Sequence, residues 1–341
     1  MSSGVLVSVV GASGYSGGEL VDMLANHPEF ILDKLYVSES SQWSGKPFNT
    51  AFPALSSVTT NFTPLPDVKT LAQSSSEVFF LATPHELSHT LVPELLSLGK
   101  TVIDLSAAYR LNNLHDYVNY YSFEHGFMQH VETACYGLTE YFAEQVAESK
   151  LIAVPGCYPT ASLLALLPLK NAGLLSDAKP VINAVSGVSG AGRPAKQNTS
   201  FCEVSLSPYG IFKHRHQPEI QQYLGQEVVF TPHLGNFKRG ILATIYCELN
   251  PGVTQADVDA VFSQAYAGET LIRLRDTAPK VDEVAHTKRC DIFWQKSPED
   301  QGLILVSAID NLLKGAAAQA LQCANLHLGW EKNLGLAVCS G

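Results

Sequence analysis

The chain has 341 residues, of which 46% are hydrophobic and 16% are charged. That apolar content excludes an intrinsically disordered chain, and the length suffices for about two domains, each with its own core. The 22 lysines and arginines against 32 aspartates and glutamates give a net charge of −10, which argues against nucleic acid or an anionic membrane as a partner.

The chain carries no pattern typical of secretion or of a metal site. Its first apolar run, Val5 to Val10, lacks a preceding basic region, and no apolar stretch is long enough to span a membrane. The seven scattered cysteines show neither zinc-like spacing nor a disulfide framework. We therefore predict a soluble cytoplasmic protein with reduced thiols and no bound metal.

The first half of the chain alternates the patterns of buried strands and of helices. Strands are predicted at residues 5–10, 31–37, 78–82, 101–105 and 151–154, and helices at residues 17–26 and 86–98. Alternation of this kind is typical of the α/β class and predicts a Rossmann-type, doubly wound parallel sheet.

A different pattern follows the break at Pro155 and Gly156. Strands are predicted at residues 240–247 and 303–309, and helices at residues 161–167, 255–267 and 311–328. These elements predict an α+β catalytic domain with a mixed or antiparallel sheet. The chain is thus expected to divide into a domain of residues 1–155 and a second domain of residues 156–310.

A glycine-rich loop, GASGYSG at residues 11–17, follows the first predicted strand and opens the first helix. Glycines in this position permit a tight turn and let a pyrophosphate approach the N–H groups at the helix N-terminus. The GxxGxxG spacing differs from the commoner GxGxxG, but the loop has the strand-to-helix context that dinucleotide binding requires. The candidate cofactor contacts are Gly11, Ser13, Gly14, Tyr15, Ser16 and Gly17.

The residues after the second predicted strand bear on the choice of cofactor. An acidic residue at the end of that strand would bind the ribose diol of NAD, whereas here Ser38 comes first and Glu39 follows it. Ser38, Ser40 and Lys46 are candidates for the 2′-phosphate of NADP, although no arginine lies nearby in the sequence. The pattern favours NADP.

Cys157 has the sequence context of a reactive thiol. It lies in VPGCYPT (154–160), between a predicted strand and a predicted helix, and Pro159 suits a first helical turn. N–H groups at a helix N-terminus would stabilise a thiolate and donate to an oxyanion. Cys247 in a strand, Cys323 in a helix and Cys339 near the terminus lack this setting.

A nucleophilic cysteine needs a proton-transfer partner that works near neutral pH, usually a histidine. The segment KHRHQPEI (213–220) offers His214 and His216, which would face opposite sides if the segment were extended. We favour His216 as the acid–base residue, with His214 as the alternative. The segment SGVSGAGR (186–193) is a candidate for binding phosphate through its N–H groups, or else a surface turn.

With these motifs, the chain closely resembles the N-acetyl-γ-glutamyl-phosphate reductases along essentially its whole length. Besides the segments above, the resemblance rests on DLSAAYR (104–110), FCEVSLSPYG (201–210), TPHLGNFKRGI (231–241) and DNLLKGAAAQA (310–320). The chain departs from the family in two places. DLSAAYR replaces the DLSADFR form, and the arginine that many relatives carry after the second strand is absent.

The resemblance implies NADPH-dependent reduction of a small acyl phosphate in arginine biosynthesis, through a thioester on Cys157 and with His216 as the acid–base residue. It further implies that residues 311–341 complete the dinucleotide domain, that Asn311 approaches the nicotinamide, and that the enzyme is a homodimer or homotetramer. The residues expected to bind substrate are Arg110, Ser186, Ser189, His214 and Arg215.

Other interpretations share part of this evidence. An aspartate-semialdehyde or glyceraldehyde-3-phosphate dehydrogenase would use the same thiolate chemistry. A cysteine hydrolase would use Cys157 and His216 without a nucleotide, and a redox sensor would bind the nucleotide without turnover. The agreement of several motifs along the chain favours the reductase.

Overall fold

The computed structural model describes residues 4–55 and 58–336, which form two compact units. The first unit comprises the described residues up to Val118, Phe123–Pro155 and those from Ala316 onward. The second unit comprises Asn119–Ser122 and Gly156–Gly315. Each unit is built on its own seven-stranded sheet.

The first unit is an α/β unit whose sheet has the strand order β3-β2-β1-β4-β5-β7-β6, with every neighbouring pair parallel. Its strands are β1 (Val5–Val10), β2 (Phe30–Val37), β3 (Phe62–Pro64), β4 (Val78–Leu81), β5 (Thr101–Asp104), β6 (Cys135–Tyr136) and β7 (Leu151–Ala153). Its helices are α1 (Tyr15–Ala25), α2 (Phe48–Ala51), α3 (Val68–Leu71), α4 (His85–Ser97), α5 (Leu114–Tyr121), α6 (Met128–Thr133), α7 (Thr139–Glu148) and α12 (Ala318–His327). The end of α5, residues 119–121, belongs to the second unit.

The strand order of the first unit reverses between β1 and β4, which is where doubly wound sheets bind nucleotides, outside the carboxyl ends of the strands. β4 is buried along its whole length, as expected of a parallel strand covered on both faces. The predicted α/β class and the Rossmann-type sheet are therefore confirmed.

The last helix, α12, packs against α1, α7 and β5 of the first unit. Every residue from Ala318 to Asn325 is buried, because alanines and Leu321 let the helix lie close to its neighbours. A π-helical turn, Leu313–Ala317, precedes it. The end of the predicted C-terminal segment, residues 337–341 with Cys339, lies outside the described residues.

The second unit has a mixed sheet of order β12-β13-β14-β11-β8-β10-β9. The pairs β8–β10 and β12–β13 are parallel and the remaining pairs antiparallel. Its strands are β8 (Val181–Ser186), β9 (Ser207–Pro208), β10 (Val229–Leu234), β11 (Ile241–Glu248), β12 (Ile272–Leu274), β13 (Cys290–Lys296) and β14 (Gly302–Ile309). Its helices are α8 (Cys157–Asn171), α9 (His216–Leu224), α10 (Gln255–Ala265) and α11 (Val281–Val284), with 3-10 turns at Val188–Ala191 and Gln197–Thr199.

Helix α8 is the central helix of the second unit, buried from Tyr158 to Leu169 and packed against α9, α10, β11 and β14. It begins at Cys157 instead of the predicted residue 161. The mixed sheet confirms the predicted α+β character of this part of the chain. Among the described residues, no helix combines the length and the hydrophobicity that a membrane crossing needs.

Candidate functional site

The glycine loop of the first unit joins β1 to α1, as predicted. Gly11 has a φ of +83°, and a Cβ on it would clash with the carbonyl oxygen of Ala82. A Cβ on Gly17 would clash with the carbonyl oxygen of Gly11 in turn. Gly14 precedes α1 without a capping side chain. The backbone is therefore closely packed on one side and presents a helix N-terminus, the arrangement that receives a pyrophosphate.

Ser38 is exposed directly after β2, and its carbonyl oxygen accepts the N–H of Ser41 at 2.9 Å. Further along the same loop, the ammonium of Lys46 lies 5.6 Å from the ring centre of Trp43. The loop thus offers hydroxyl groups and a cation, which suits a phosphate.

Arg110 is buried in the loop after β5. Its Nε donates to the carbonyl oxygen of Val154 at 2.7 Å, and its Nη2 donates to that of Leu105 at 2.7 Å. These bonds join the chain just past β5 to the chain just past β7. A contact of Arg110 with substrate stays a prediction.

His125 and His89 hold the loop that carries Arg110 through hydrogen bonds. The Nδ1 of His125 accepts the N–H of Phe127 at 3.2 Å, so its Nε2 donates to the carbonyl oxygen of Ala108 at 2.9 Å. Burial of the ring, reinforced by the neighbouring His89, lowers the pKa of His125 to about 4. The Tyr109 hydroxyl donates to the carbonyl oxygen of His89. His125 is therefore neutral near pH 7.

Cys157 is the first residue of α8, and Gly156 is its N-cap with extended φ and ψ of −66° and 156°. Within Leu151–Thr160, Cys157 alone is not fully buried. A Cβ on Gly315, in the turn that follows β14, would lie 2.9 Å from the Cβ of Cys157. Cys157 therefore lies at a helix N-terminus and is partly exposed, and Gly315 next to it has no side chain that would crowd it. This is the setting of a reactive thiol.

The other described cysteines lack that setting. Burial raises the pKa of the Cys135 thiol to about 11 and that of Cys247 to about 12. Cys290 and Cys323 are buried inside secondary structure, and Cys202 is exposed in a turn. Cys157 is therefore the best candidate nucleophile in residues 4–55 and 58–336.

The imidazole of His216 lies against Gly156, the residue before Cys157. Its Nε2 is 2.5 Å from the position that a Cβ on Gly156 would occupy. Glu219, one turn later on α9, accepts the N–H of Gly156 through its Oε1 at 2.8 Å and is fully buried. Two side chains of α9 thus meet the turn that carries Cys157, the candidate nucleophile.

His214 lies just before α9, and its Nδ1 accepts the backbone N–H of His216 at 3.1 Å. Burial, with a smaller contribution from Arg215, lowers the pKa of His214 to about 4. The segment is not extended at this point, because His216 begins the helix α9. His214 is thus a neutral acceptor that holds the start of α9.

Two tyrosines complete this part of the second unit. The Tyr158 hydroxyl lies 3.3 Å from that of Tyr209 and donates to the carbonyl oxygen of His233 at 3.2 Å. The Tyr158 ring packs edge-on against the rings of His214 and His216. Burial raises the pKa of both tyrosines, and the charge of Cys157 raises it further, so the hydroxyls stay protonated.

Asn311 follows β14, where its side chain joins two segments of the second unit. Its Oδ1 accepts the N–H of Gly240 at 2.7 Å, and its Nδ2 donates to the Oγ of Ser189 at 3.0 Å. The preceding Asp310 is fully buried and pairs with Arg239. These contacts give Asn311 a structural role within its unit, and its contact with the nicotinamide stays a prediction.

The SGVSGAGR segment forms a tight turn that is bonded to the β10–β11 connection. Gly187, Val188 and Ser189 donate their N–H groups to the carbonyl oxygens of Gly240, Phe237 and Lys238 at 3.0, 2.9 and 3.1 Å. The hydroxyl of Ser186 donates to the carbonyl oxygen of Gly187. Phosphate binding by this segment stays a prediction, and these three N–H groups are already bonded to the β10–β11 connection.

Arg215, between the two histidines, is exposed. Its guanidinium lies 6.0 Å from the ring centre of Tyr121, whose hydroxyl donates to the Arg215 carbonyl oxygen at 3.4 Å. Tyr121 belongs to the short Asn119–Ser122 piece of the second unit. The site can therefore offer a thiol, an imidazole and an oriented cation.

The sequence analysis missed Glu219 and Tyr121. The spacing His216-x-x-Glu219 could have signalled the first, since residues three apart share a helix face. No local pattern signals Tyr121. In the described part of the chain, no cluster of three or more histidines, cysteines or carboxylates could hold a metal ion.

Family models match both halves of the chain. The model described as "Semialdehyde dehydrogenase, NAD binding domain" matches residues 6–149, and "Semialdehyde dehydrogenase, dimerisation domain" matches residues 157–311. Among solved structures, aspartate semialdehyde dehydrogenase II of Vibrio cholerae superposes with a TM-score of 0.74 at 19% identity, covering 96% of this chain and 99% of that one. At that identity the likeness bears on the fold alone.

Much closer sequences exist among curated proteins. N-acetyl-gamma-glutamyl-phosphate reductase of Pseudoalteromonas atlantica is 51% identical over 331 residues, which cover 96% of this chain and 97% of that protein. The protein of the same name from Tolumonas auensis is 52% identical over 333 residues, covering 97% of this chain and 99% of its own length.

Proposed function

Because the chain belongs to the family of the N-acetyl-gamma-glutamyl-phosphate reductases, we propose that it reduces N-acetyl-γ-glutamyl phosphate to N-acetylglutamate 5-semialdehyde and releases phosphate. The reaction is a step of arginine biosynthesis. The observation that carries the proposal is the placement of Cys157 at the N-terminus of α8, next to the Gly156 on which the His216 ring packs.

Cys157 forms the covalent intermediate. Its thiolate attacks the carbonyl carbon of the acyl phosphate, the bond from that carbon to the phosphate oxygen breaks, and phosphate leaves with the electron pair. An acyl thioester remains on the sulfur. Backbone N–H groups at the start of α8 stabilise the oxyanion that develops on the carbonyl oxygen.

His216 moves the protons of the second half-reaction. It donates a proton to the oxyanion formed when hydride adds to the thioester carbon, which gives a thiohemiacetal. It then removes that proton as the carbon–sulfur bond breaks, so that the aldehyde leaves and Cys157 regains its thiolate. His214 has its pKa lowered to about 4, so it is a poor proton donor near pH 7.

NADP is the cofactor, and when bound in its reduced form it supplies the hydride. The first unit fits it, since the Gly11–Gly17 loop is too closely packed for side chains at Gly11 and Gly17 and leads into a helix N-terminus. Gly11, Ser13, Gly14, Tyr15, Ser16 and Gly17 would hold the pyrophosphate. Ser38 and Lys46 would hold the 2′-phosphate in place of the family's arginine.

The substrate is a small anion, and Arg215 is the best placed cation to bind it. Arg215 is exposed next to His216 and lies over the ring of Tyr121. Ser189 and Asn311 bond to each other and so hold the turn Val188–Ala191 in place. Arg110 is a weaker candidate, because it bonds to carbonyl groups of its own unit.

The enzyme is a homo-oligomer, at least a dimer, built through the sheet of the second unit. β11 alternates buried and exposed residues, and its Tyr246 lies opposite Ile304 of β14, each 45% exposed. We take this exposed apolar pair to be part of the contact surface between subunits. The name of the matching family model, a dimerisation domain, supports this proposal, and sedimentation of the purified chain would test it. Location in the cytoplasm stays a prediction.

Other activities are less well supported. An aspartate-semialdehyde dehydrogenase would share the fold but not the close curated relatives at about 51% identity. A nucleotide-independent cysteine hydrolase would leave the glycine loop and the matching NAD-binding model unexplained. A non-catalytic redox sensor would not need the imidazole next to Gly156.

The deciding experiment is the reaction in reverse, followed by absorbance of the reduced cofactor at about 340 nm. The purified chain receives N-acetylglutamate semialdehyde, phosphate and NADP, and parallel reactions replace the aldehyde with aspartate semialdehyde or NADP with NAD. We expect reduction of NADP with the acetylated substrate only. Turnover of aspartate semialdehyde instead would contradict the proposed substrate.

A further inference from the structure

Glu219 is a buried acidic side chain that the proposed reaction does not use. It is fully buried in the first turn of α9, and its Oε1 accepts the N–H of Gly156 at 2.8 Å. Gly156 is the N-cap of α8. In a capping box, this bond comes from the third residue of the same helix. Here it comes from another helix and ties α9 to the turn that carries Cys157.

Glu219 and His216 reach the same residue from one face of α9. They are three positions apart, so their side chains are neighbours on the helix surface. The carboxyl group bonds to the nitrogen of Gly156, and the imidazole Nε2 lies 2.5 Å from where its Cβ would be. The acid–base candidate and the buried acid are therefore held in one small region.

A negative charge in that region changes the balance between the protonation states of its neighbours. Little water screens a buried carboxylate, so its interaction with nearby charges is strong. It favours the protonated imidazole of His216 and opposes a lone thiolate on Cys157. A thiolate on Cys157 would therefore be favoured only when the imidazole of His216 is protonated as well.

We propose that Glu219 is a positioning residue, which fixes His216 against the Gly156–Cys157 turn and keeps its imidazole protonated for proton donation to the substrate oxyanion. This proposal rests on the proposed function. The titratable and charged groups packed around this imidazole and its nearest rings are Cys157 and Tyr158 on α8, His214 and Arg215 before α9, Glu219 on α9, and Tyr209 after β9.

The test compares Glu219→Gln with Glu227→Gln. Glutamine keeps an oxygen that can accept the Gly156 N–H and removes only the charge. Glu227 is an exposed carboxylate just past α9, paired with Lys179, so its substitution controls for the loss of one negative charge. The measurements are kcat, KM for NADPH, and kcat/KM as a function of pH.

In Glu219→Gln we expect kcat to fall on the order of 10-fold with KM for NADPH unchanged. The imidazolium of His216 loses its favourable interaction with the Glu219 carboxylate, so its pKa should fall. The alkaline limb of the pH profile should therefore move about one unit to lower pH. Glu227→Gln should match the wild type in both respects. If Glu219 only caps Gly156, the glutamine variant will keep the wild-type kcat and pH profile, which would overturn the proposal.

A second measurement needs no folded variant at position 219. The ring of His216 in the full wild-type chain is followed by ¹⁵N NMR during a pH titration. We expect it to titrate above the ordinary imidazole value of about 6.5, and titration at or below that value would contradict the proposal. Because wild-type turnover is measured alongside, an inactive wild type would count against the proposed function instead.

Discussion

The imidazole of His216 occupies the space that any side chain on Gly156 would need, with its Nε2 2.5 Å from the position of a Cβ there. Gly156 has extended backbone angles that other residues adopt readily. A glycine is therefore needed here because of the His216 ring and not because of the backbone conformation. The residue before Cys157 is small because the His216 ring lies on it.

The first prediction follows from that contact. In Gly156→Ala, the new methyl group must displace the His216 ring, so we expect kcat to fall on the order of 100-fold. The melting temperature should fall by a few degrees as well. Gly126→Ala is the control, since a Cβ there has nothing within 4 Å. Equal activity of both variants would mean that the ring need not lie where it does.

The second prediction concerns the nucleophile. Cys157→Ser replaces the thiol with a hydroxyl that does not ionise near neutral pH, so no thioester forms and turnover should be lost. Binding of NADPH, followed by its fluorescence, should be unchanged because the glycine loop belongs to the first unit. Cys135→Ser, at a thiol with its pKa raised to about 11, should remain active. Full activity of Cys157→Ser would refute covalent catalysis.

The third prediction separates the two neighbouring histidines. His216→Ala removes the proposed proton donor and should cost on the order of 10²-fold or more in kcat. His214→Ala removes the acceptor of the His216 N–H, which should lower stability and have a smaller effect on kcat. The variants are compared by steady-state kinetics and thermal unfolding. A larger loss of kcat in His214→Ala would reverse the assignment.

The fourth prediction tests the cofactor's 2′-phosphate. Lys46→Ala should raise KM for NADPH roughly 10-fold, because a charge-assisted contact to phosphate is lost, and leave KM for NADH unchanged. Lys69→Ala removes another exposed lysine of the first unit and serves as the control. If both cofactors lose affinity equally, Lys46 acts on the shape of the loop and does not contact the phosphate.

The fifth prediction concerns stability in acid. Burial lowers the pKa of His125 to about 4 in the folded chain, below the value of about 6.5 expected when unfolded. Below pH 6.5 the unfolded state therefore binds a proton that the folded state does not, and stability falls as the pH drops towards 4. Thermal unfolding of His125→Gln should depend less on pH over this range than that of the wild type.

The exposed His115 provides the comparison for that measurement. His115→Gln should keep the pH dependence of the wild type. If His125→Gln also keeps it, other groups cause the acid sensitivity.

The parts of the fold that the sequence analysis predicted are those with strong local patterns. The apolar run Val5–Val10 and the glycines after it give β1 and the loop to α1 without reference to the rest of the chain. Short elements such as β3 and β6 have no such pattern, because their pairing with neighbouring strands creates them. The strength of the local pattern decides what can be predicted, and length alone does not, since β7 was predicted and the longer β13 and α7 were not.

The candidate site follows the same division. Cys157 could be identified because a strand, a glycine and a helix start surround it in the sequence. The contact of Glu219 with Gly156 joins residues far apart in the chain, so no local window contains it. The bond of Ser189 with Asn311 spans still more of the chain, so no local pattern could have indicated it either.

Helix α12, translated near the end of the chain, belongs to the unit that contains the first strand. His27 bonds to Asn325 at 3.1 Å, and Thr101 bonds to His327 at 2.9 Å. During synthesis on the ribosome, the nucleotide-binding unit therefore cannot complete its folding until the whole second unit has emerged. Until then the surfaces of α1 and β5 that α12 covers stay exposed. Newly made chains should depend on chaperones during that interval, and a fragment ending before α12 should aggregate.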